Sequence, residues 1–192
     1  LTLETQTLAP PAKGEVQIEV RATGVNYADV IVRMGLYASA KELVGWPITP
    51  GFEVAGVVTA VGDDVKDLKP GDRVMGVTLF DGYSSALNVP RHQVFALPEG
   101  LAFVEGASLP AVFMTGWFAL HFLAHPRKGD RVLVHSAAGG VGGTLVQLLK
   151  RQGCEVVGGI VSVAKSSDTR RCGCMRSASG VQSHTQIPGI SR

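Results

Sequence analysis

The stretch 131–159, RVLVHSAAGGVGGTLVQLLKRQGCEVVGG, decides the reading of the fold. Val132, Leu133 and Val134 form a continuous apolar run, as in parallel strands buried on both faces. A turn of small residues comes next, Ala137-Ala138-Gly139-Gly140-Val141-Gly142, in which Ala137, Gly139 and Gly142 take the G-x-G-x-x-G spacing. A helical pattern then runs through Gln152, with Val146, Leu148 and Leu149 apolar and Lys150 and Arg151 at its basic end. Gly153 closes it, and Glu155 to Val161 reads as a second strand. Strand, glycine turn, helix and strand together open a dinucleotide-binding fold. Small residues allow the tight turn, the close backbone approach to a pyrophosphate and the close helix–strand packing. Ala138, Gly139, Gly140, Val141 and Gly142 are the expected cradle, with backbone N–H groups and the positive helix end facing phosphate oxygens.

The end of the second strand bears on the cofactor. A site for NAD places an acid there, about twenty residues beyond the turn, to hold the ribose hydroxyls. Here Val157 to Val161 holds no acid, and Glu155 comes too early. Ser162 and Lys165 stand just beyond instead, a hydroxyl and a cation suited to the 2′-phosphate of NADPH.

Before this stretch the chain reads as short strands and one helix. Val16, Ile18 and Val20 alternate with polar residues from Glu15 to Arg21, the sign of a half-buried strand. Further strands are expected at Val54–Val61, Arg73–Val77, Tyr83–Val89 and Gln93–Leu97, separated by Gly/Pro/Asp turns, and such spacing suggests a barrel. Asn26 to Met34 allows a short helix ended by Gly35, with Asn26 as a candidate N-cap and Asp29 and Arg33 spaced to pair on its surface. Ala107 to Leu123 is a longer helical candidate with Pro110 near its first turn. After the second strand the pattern stops. Residues 166–192 hold seven apolar residues, six serines and four arginines against one acid, so no third strand and no packed structure are expected there.

Composition narrows the function classes. Hydrophobic residues at 45% and charged residues at 18% suit a globular core, and a net charge of +2 gives no case for nucleic acid. No apolar run is expected to reach the roughly 18 residues of a membrane span. Three cysteines, an odd count, argue against a disulfide framework and point to a reducing, cytoplasmic setting. His121 and His125 read as a surface pair at a helix end.

Several ordered motifs carry a family resemblance over about residues 1 to 165. Gly24-Val25-Asn26-Tyr27-Ala28-Asp29, with Arg33, Gly35 and Tyr37, resembles the N-terminal signature of quinone oxidoreductases in the medium-chain dehydrogenase/reductase superfamily. Pro50-Gly51-Phe52-Glu53, Gly56, Val61-Gly62 and Gly71-Asp72-Arg73-Val74 look like its barrel signature, and Gly82-Tyr83-Ser84-Ser85, Leu109-Pro110 and Thr115 continue in order.

The resemblance implies a GroES-like β-barrel domain over 1–110, the start of an incomplete Rossmann domain over 111–165 and an aberrant tail over 166–192. It also implies that zinc is absent. Alcohol dehydrogenases of the superfamily carry a cysteine near Asn26 or Tyr27 and a histidine where Phe52 stands, and no cysteine here precedes Cys154. The implied activity is hydride transfer from NADPH to a quinone or an α,β-unsaturated carbonyl. Asn26 and Thr115 would then lie near the nicotinamide. Tyr27, Asp29 and Tyr83 are candidates for lining the acceptor pocket or supplying a proton, and Glu53 is expected to be a buried, paired carboxylate. A homodimer is implied for a full-length form. An inactive shortened form acting as a binding partner, and an enoyl-reductase module of a fatty-acid or polyketide synthase, are the alternatives.

Overall fold

The computed structural model of the chain describes residues 2–159 and 177–178, and its first unit, Leu1–Ala111, is built on an antiparallel sheet. Strands β1 (Glu15–Thr23), β2 (Glu53–Val61), β3 (Arg73–Val77), β4 (Ala86–Pro90) and β5 (Val94–Ala96) lie in the order β4-β1-β2-β3-β5. The two edge strands, β4 and β5, are joined by the single 3-10 turn Arg91–Gln93. In a flat sheet four strand spacings would hold the edges about 19 Å apart. The step from Pro90 to Val94 spans at most about 14 Å, so the sheet has to roll up. Arg91 braces the bend at the surface: its guanidinium donates to the Asp67 carboxylate and, at 2.6 Å, to the Val94 carbonyl.

The alternation read in the sequence is what fills the roll. Val16 and Ile18 of β1, Val54 and Val58 of β2, Val74, Leu87, Val89 and Val94 are all buried in one cluster. A second cluster stands beside α1 (Tyr27–Arg33) and α2 (Ala38–Leu43), where the rings of Tyr37, Phe52 and Phe80 meet over Val32 and Ala40. The Phe52–Phe80 and Tyr37–Phe52 centroids are 5.5 and 5.6 Å apart, the tilted approach that aromatic quadrupoles favour. Helix α2 carries no signal that the sequence pattern reveals.

The expected helix over Ala107–Leu123 is instead two pieces, preceded by a separate short helix. A short α3 (Phe103–Gly106) comes first, α4 (Pro110–Phe118) begins at the proline that has no N–H to donate, and a wider turn, Ala119–Ala124, completes it. The wide turn closes with the His125 N–H on the Leu120 carbonyl at 2.8 Å, a five-residue step, and His125 itself is left-handed at φ 48°. His121 lies against Trp117, with ring centroids 3.8 Å apart. Taken as one helical run, Phe103–Ala124 is long and apolar enough by composition to cross a bilayer, with a mean hydropathy of 1.4. That corrects the expectation of no such segment. The same length and composition fit a helix of a soluble protein, and Glu105 and Pro110 interrupt the run.

The second unit, Val112–Arg192, has a parallel sheet. β6 (Arg131–Val134) pairs with β7 (Glu155–Gly159) through the crossover helix α5 (Gly140–Arg151), and Val134, Ala137, Val146, Leu149 and Val156 are buried between them. A short β8 (Ser177–Ala178) pairs in parallel with β7, giving the order β6-β7-β8. This corrects the expectation that the tail adds no strand. Two residues are too few to show a period, and their pairing is made by backbone. The expected strand end at Val161 and the rest of the tail lie outside the described residues.

Ile18 is fully buried at the centre of the rolled sheet. Replacing it with Ala is expected to cost about 2–5 kcal/mol of stability, read as a lower urea midpoint. A loss below about 1 kcal/mol would show that this cluster does not hold the unit together.

Candidate functional site

Two groups of site residues emerge, one in each unit. In the first unit the group is built around two buried carboxylates. Asp29 and Glu53 are 5% and 2% exposed, and a carboxylate so far from water needs donors on its oxygens. Asp29 has three. Its Oδ2 accepts the Asn26 backbone N–H at 2.7 Å and the Tyr83 hydroxyl at 3.1 Å, and its Oδ1 accepts the Gly51 N–H at 3.1 Å. The surface ion pair expected with Arg33 is therefore not the role of Asp29. Burial in the first turn of α1 turns it inward, to the loops carrying Gly51 and Tyr83.

Glu53 opens β2 and spends its oxygens on two elements. Oε1 accepts the Asn26 Nδ2 at 2.8 Å, and Oε2 accepts the Ala111 N–H at 2.8 Å in the first turn of α4. A negative charge there also meets the positive end of that helix. Gly24 makes room for it: a Cβ at that position would stand 2.3 Å from Glu53 Oε1. Half-buried Asn26 is thus held twice, by Asp29 at its backbone and by Glu53 at its side chain.

Tyr83 lies outside the strand expected for it. β4 begins at Ala86, and Tyr83 sits on the preceding loop with its hydroxyl on Asp29. Burial first, and then the Asp29 carboxylate, push its phenol from the usual 10 up to about 12. A phenol so placed keeps its proton and is a poor acid at neutral pH. Tyr27 is mostly exposed on α1, without a hydrogen bond to the Asp29–Glu53 group.

In the second unit the sequence-predicted cradle is assembled. Ala138 lies in the turn, Gly139 is the N-cap of α5, and Gly140, Val141 and Gly142 form its first turn. No side chain caps this helix, so the first-turn N–H groups, which have no intrahelical acceptor, point out of its start. The turn itself is tight. Ser136 is left-handed at φ 52° and its carbonyl accepts the Gly139 N–H at 2.8 Å, while the Ala137 N–H donates to Gly159 at 3.0 Å. A Cβ on Gly142 would lie 2.2 Å from the Ser136 carbonyl oxygen, so only glycine lets the helix start so near the strand end. These residues fit the pyrophosphate of a dinucleotide: first-turn amides without a capping side chain and a positive helix end. Thr115 is exposed on α4. Ser162 and Lys165 lie outside the described residues. The strained Ser136 is not legible in the sequence, because a serine before a glycine-rich turn carries no local signal for a left-handed backbone.

Two outcomes test this geometry. In a spectrophotometric titration one of the three tyrosines should ionise near pH 12, and Asp29→Asn should bring it part of the way back, since burial remains. Because the folded value lies above the unfolded value of about 10, the stability that this phenol adds is present below about pH 10 and is lost as pH rises toward 12. Three tyrosines titrating together near 10 would refute the placement. Gly142→Ala should lower stability by about 1–3 kcal/mol or more through overpacking at the Ser136 carbonyl, and an unchanged melting temperature would contradict the tight turn.

Comparison with known proteins gives this geometry a lineage. Residues 12–126 match the alcohol dehydrogenase GroES-like domain. The pikromycin polyketide synthase component PikAII of Streptomyces venezuelae is 46% identical over 157 residues, which are 81% of this chain and 4% of that protein. The crystal structure of CurK enoyl reductase superposes with a TM-score of 0.85 at 36% identity, covering 91% of this chain and 54% of that one. Escherichia coli quinone oxidoreductase, in its crystal structure with NADPH, superposes with a TM-score of 0.81 at 31% identity, covering 91% and 52%. The chain spans about half the length of these solved structures and a small part of the synthase. With its GroES-like domain matched and its relatives among quinone oxidoreductases and enoyl reductases, the chain belongs to the medium-chain dehydrogenase/reductase superfamily.

Proposed function

We propose that the chain serves NADPH-dependent hydride transfer to a quinone or an α,β-unsaturated carbonyl, without zinc. The observation that carries this reading is the uncapped start of α5 behind a turn so tight that Gly142 admits no Cβ. Gly139, Gly140, Val141 and Gly142 would hold the pyrophosphate through backbone N–H groups, beside Ala138, and Ser162 and Lys165 would answer the 2′-phosphate. When bound, NADPH supplies the hydride. The chain's own residues orient and exclude. Asn26, fixed by Asp29 and Glu53, offers a positioned carboxamide near the nicotinamide, with Thr115 as a second contact. Tyr27 and Tyr83 would line the acceptor pocket, and the high pKa of Tyr83 makes solvent the better proton source. Zinc-free chemistry is supported by Phe52, whose ring packs between Tyr37 and Phe80 and has no lone pair to give a metal.

The likeness to PikAII and CurK favours a second reading of the acceptor, an enoyl thioester carried on a synthase. Titration of the full chain with each reduced nucleotide, followed by turnover at 340 nm with a quinone, an enone and an enoyl thioester, tests both readings. NADPH is expected to bind about tenfold more tightly than NADH, as a charge-assisted phosphate contact warrants, and EDTA should leave turnover unchanged. Equal affinities would remove Ser162 and Lys165 from the site. No binding of either nucleotide would overturn the reading and leave the chain as an inactive binding partner.

A further inference from the structure

We infer that Glu53 is a positioning residue. It turns the Asn26 carboxamide so that the carbonyl oxygen, an acceptor, is what the site offers, and the ligand group met there is an N–H or O–H donor. The inference rests on the reading of the chain as an NADPH-dependent reductase, and it assigns Asn26 to the cofactor rather than to the quinone or enone.

Which way an asparagine amide points is set by its hydrogen-bond partners. A carboxylate whose two oxygens both accept has no hydrogen to give, so it can meet only the NH2 branch of the amide. Glu53 is such a partner: Oε2 accepts the Ala111 N–H and Oε1 accepts the Asn26 Nδ2, each at 2.8 Å. The residue is also fixed from behind. Its main-chain carbonyl accepts the Gly24 N–H at 3.1 Å and the Thr23 hydroxyl at 3.0 Å, and the Gly24 backbone closes in on Oε1. The carboxylate is held, and the amide has to follow it.

Oδ1 is left on the other branch. The Asp29 N–H, in the first turn of α1, donates at 3.0 Å to the Asn26 main-chain carbonyl instead, and no side-chain hydrogen bond caps that helix. Asn26 is half-buried. Among the described residues every buried side-chain nitrogen or oxygen has a partner, so an oxygen without one reaches solvent. An acceptor so placed complements a donor. NADPH carries donors at its nicotinamide end, the carboxamide N–H and the ribose hydroxyls, whereas the carbonyl oxygens of a quinone or an enone only accept.

Calorimetric titration of the full chain with NADPH and with 2′,5′-ADP, which lacks the nicotinamide half, tests this. In Glu53→Gln the new amide keeps the Ala111 N–H only by turning its own NH2 toward Asn26, and the Asn26 amide, with nothing else holding Oδ1, flips to meet it. NADPH binding should then weaken about tenfold, as two facing donors warrant, while 2′,5′-ADP binding stays within about twofold. Adding Asn26→Asp to Glu53→Gln moves a negative charge without adding one. It gives the NH2 at position 53 an acceptor and returns an acceptor oxygen to the site, so NADPH binding should recover to within about threefold of wild type. A residue that served the fold alone would shift the melting temperature and leave the ratio of the two affinities unchanged. If folded Glu53→Gln keeps the wild-type ratio, or the folded double variant fails to recover, the inference is overturned, and 2′,5′-ADP binding leaves the nucleotide reading standing. Should Glu53→Gln alone not fold, the double variant decides. If neither ligand binds the folded wild-type chain, both fall.

Discussion

Two carboxylates taken out of water, Asp29 and Glu53, impose most of the order in the first unit. A buried carboxylate is tolerated only where donors converge on it, and here they come from α1, from the loops before β2 and β4, and from the first turn of α4. Each of those segments is irregular or short and would be poorly determined by its own propensity. Together the acids fix where the loops run, why Gly24 must lack a side chain and how the Asn26 amide is turned. The hydrophobic roll of the sheet supplies bulk stability, and the acids supply register between pieces that do not share a strand.

The second unit works by the opposite device. There the decisive residues have almost no side chain, and what matters is how near one piece of backbone may come to another. Gly142 lets the start of α5 rest on the Ser136 carbonyl, and that contact brings a row of amides to the carboxyl end of the sheet. A left-handed serine is the local cost of that geometry. One unit is organised by charge that has to be satisfied, the other by atoms that have to be missing.

The two devices differ in how far they can be read from residues alone. The glycine turn is legible because its constraint is local: strand, small residues and helix are contiguous, and the structure repeats that order. The strands at Arg73–Val77 and through Val16 and Ile18 are legible because burial has a period of two. The partners of Asp29 are not. Spacing offers Arg33 four residues on, whereas the actual donors on the two loops lie 22 and 54 residues away, and only the folded chain brings them together. Tyr83 is hidden for the same reason, since its aromatic ring suits a strand but its hydroxyl serves a loop contact. The break at Pro110 and the wide turn after Phe118 are hidden because an apolar run looks continuous wherever its helical hydrogen bonds change step.

The three-residue link between β4 and β5 has a consequence for the shape of the first unit. It acts as the clasp of a hoop, adding a limit of chain length to the bends that the β1–β2 register shifts already put into the sheet. Curvature is what brings Val16 on one strand and Val94 on a distant one into the same interior. The tight turn and the buried cluster thus demand the same curvature, one through chain length and the other through burial.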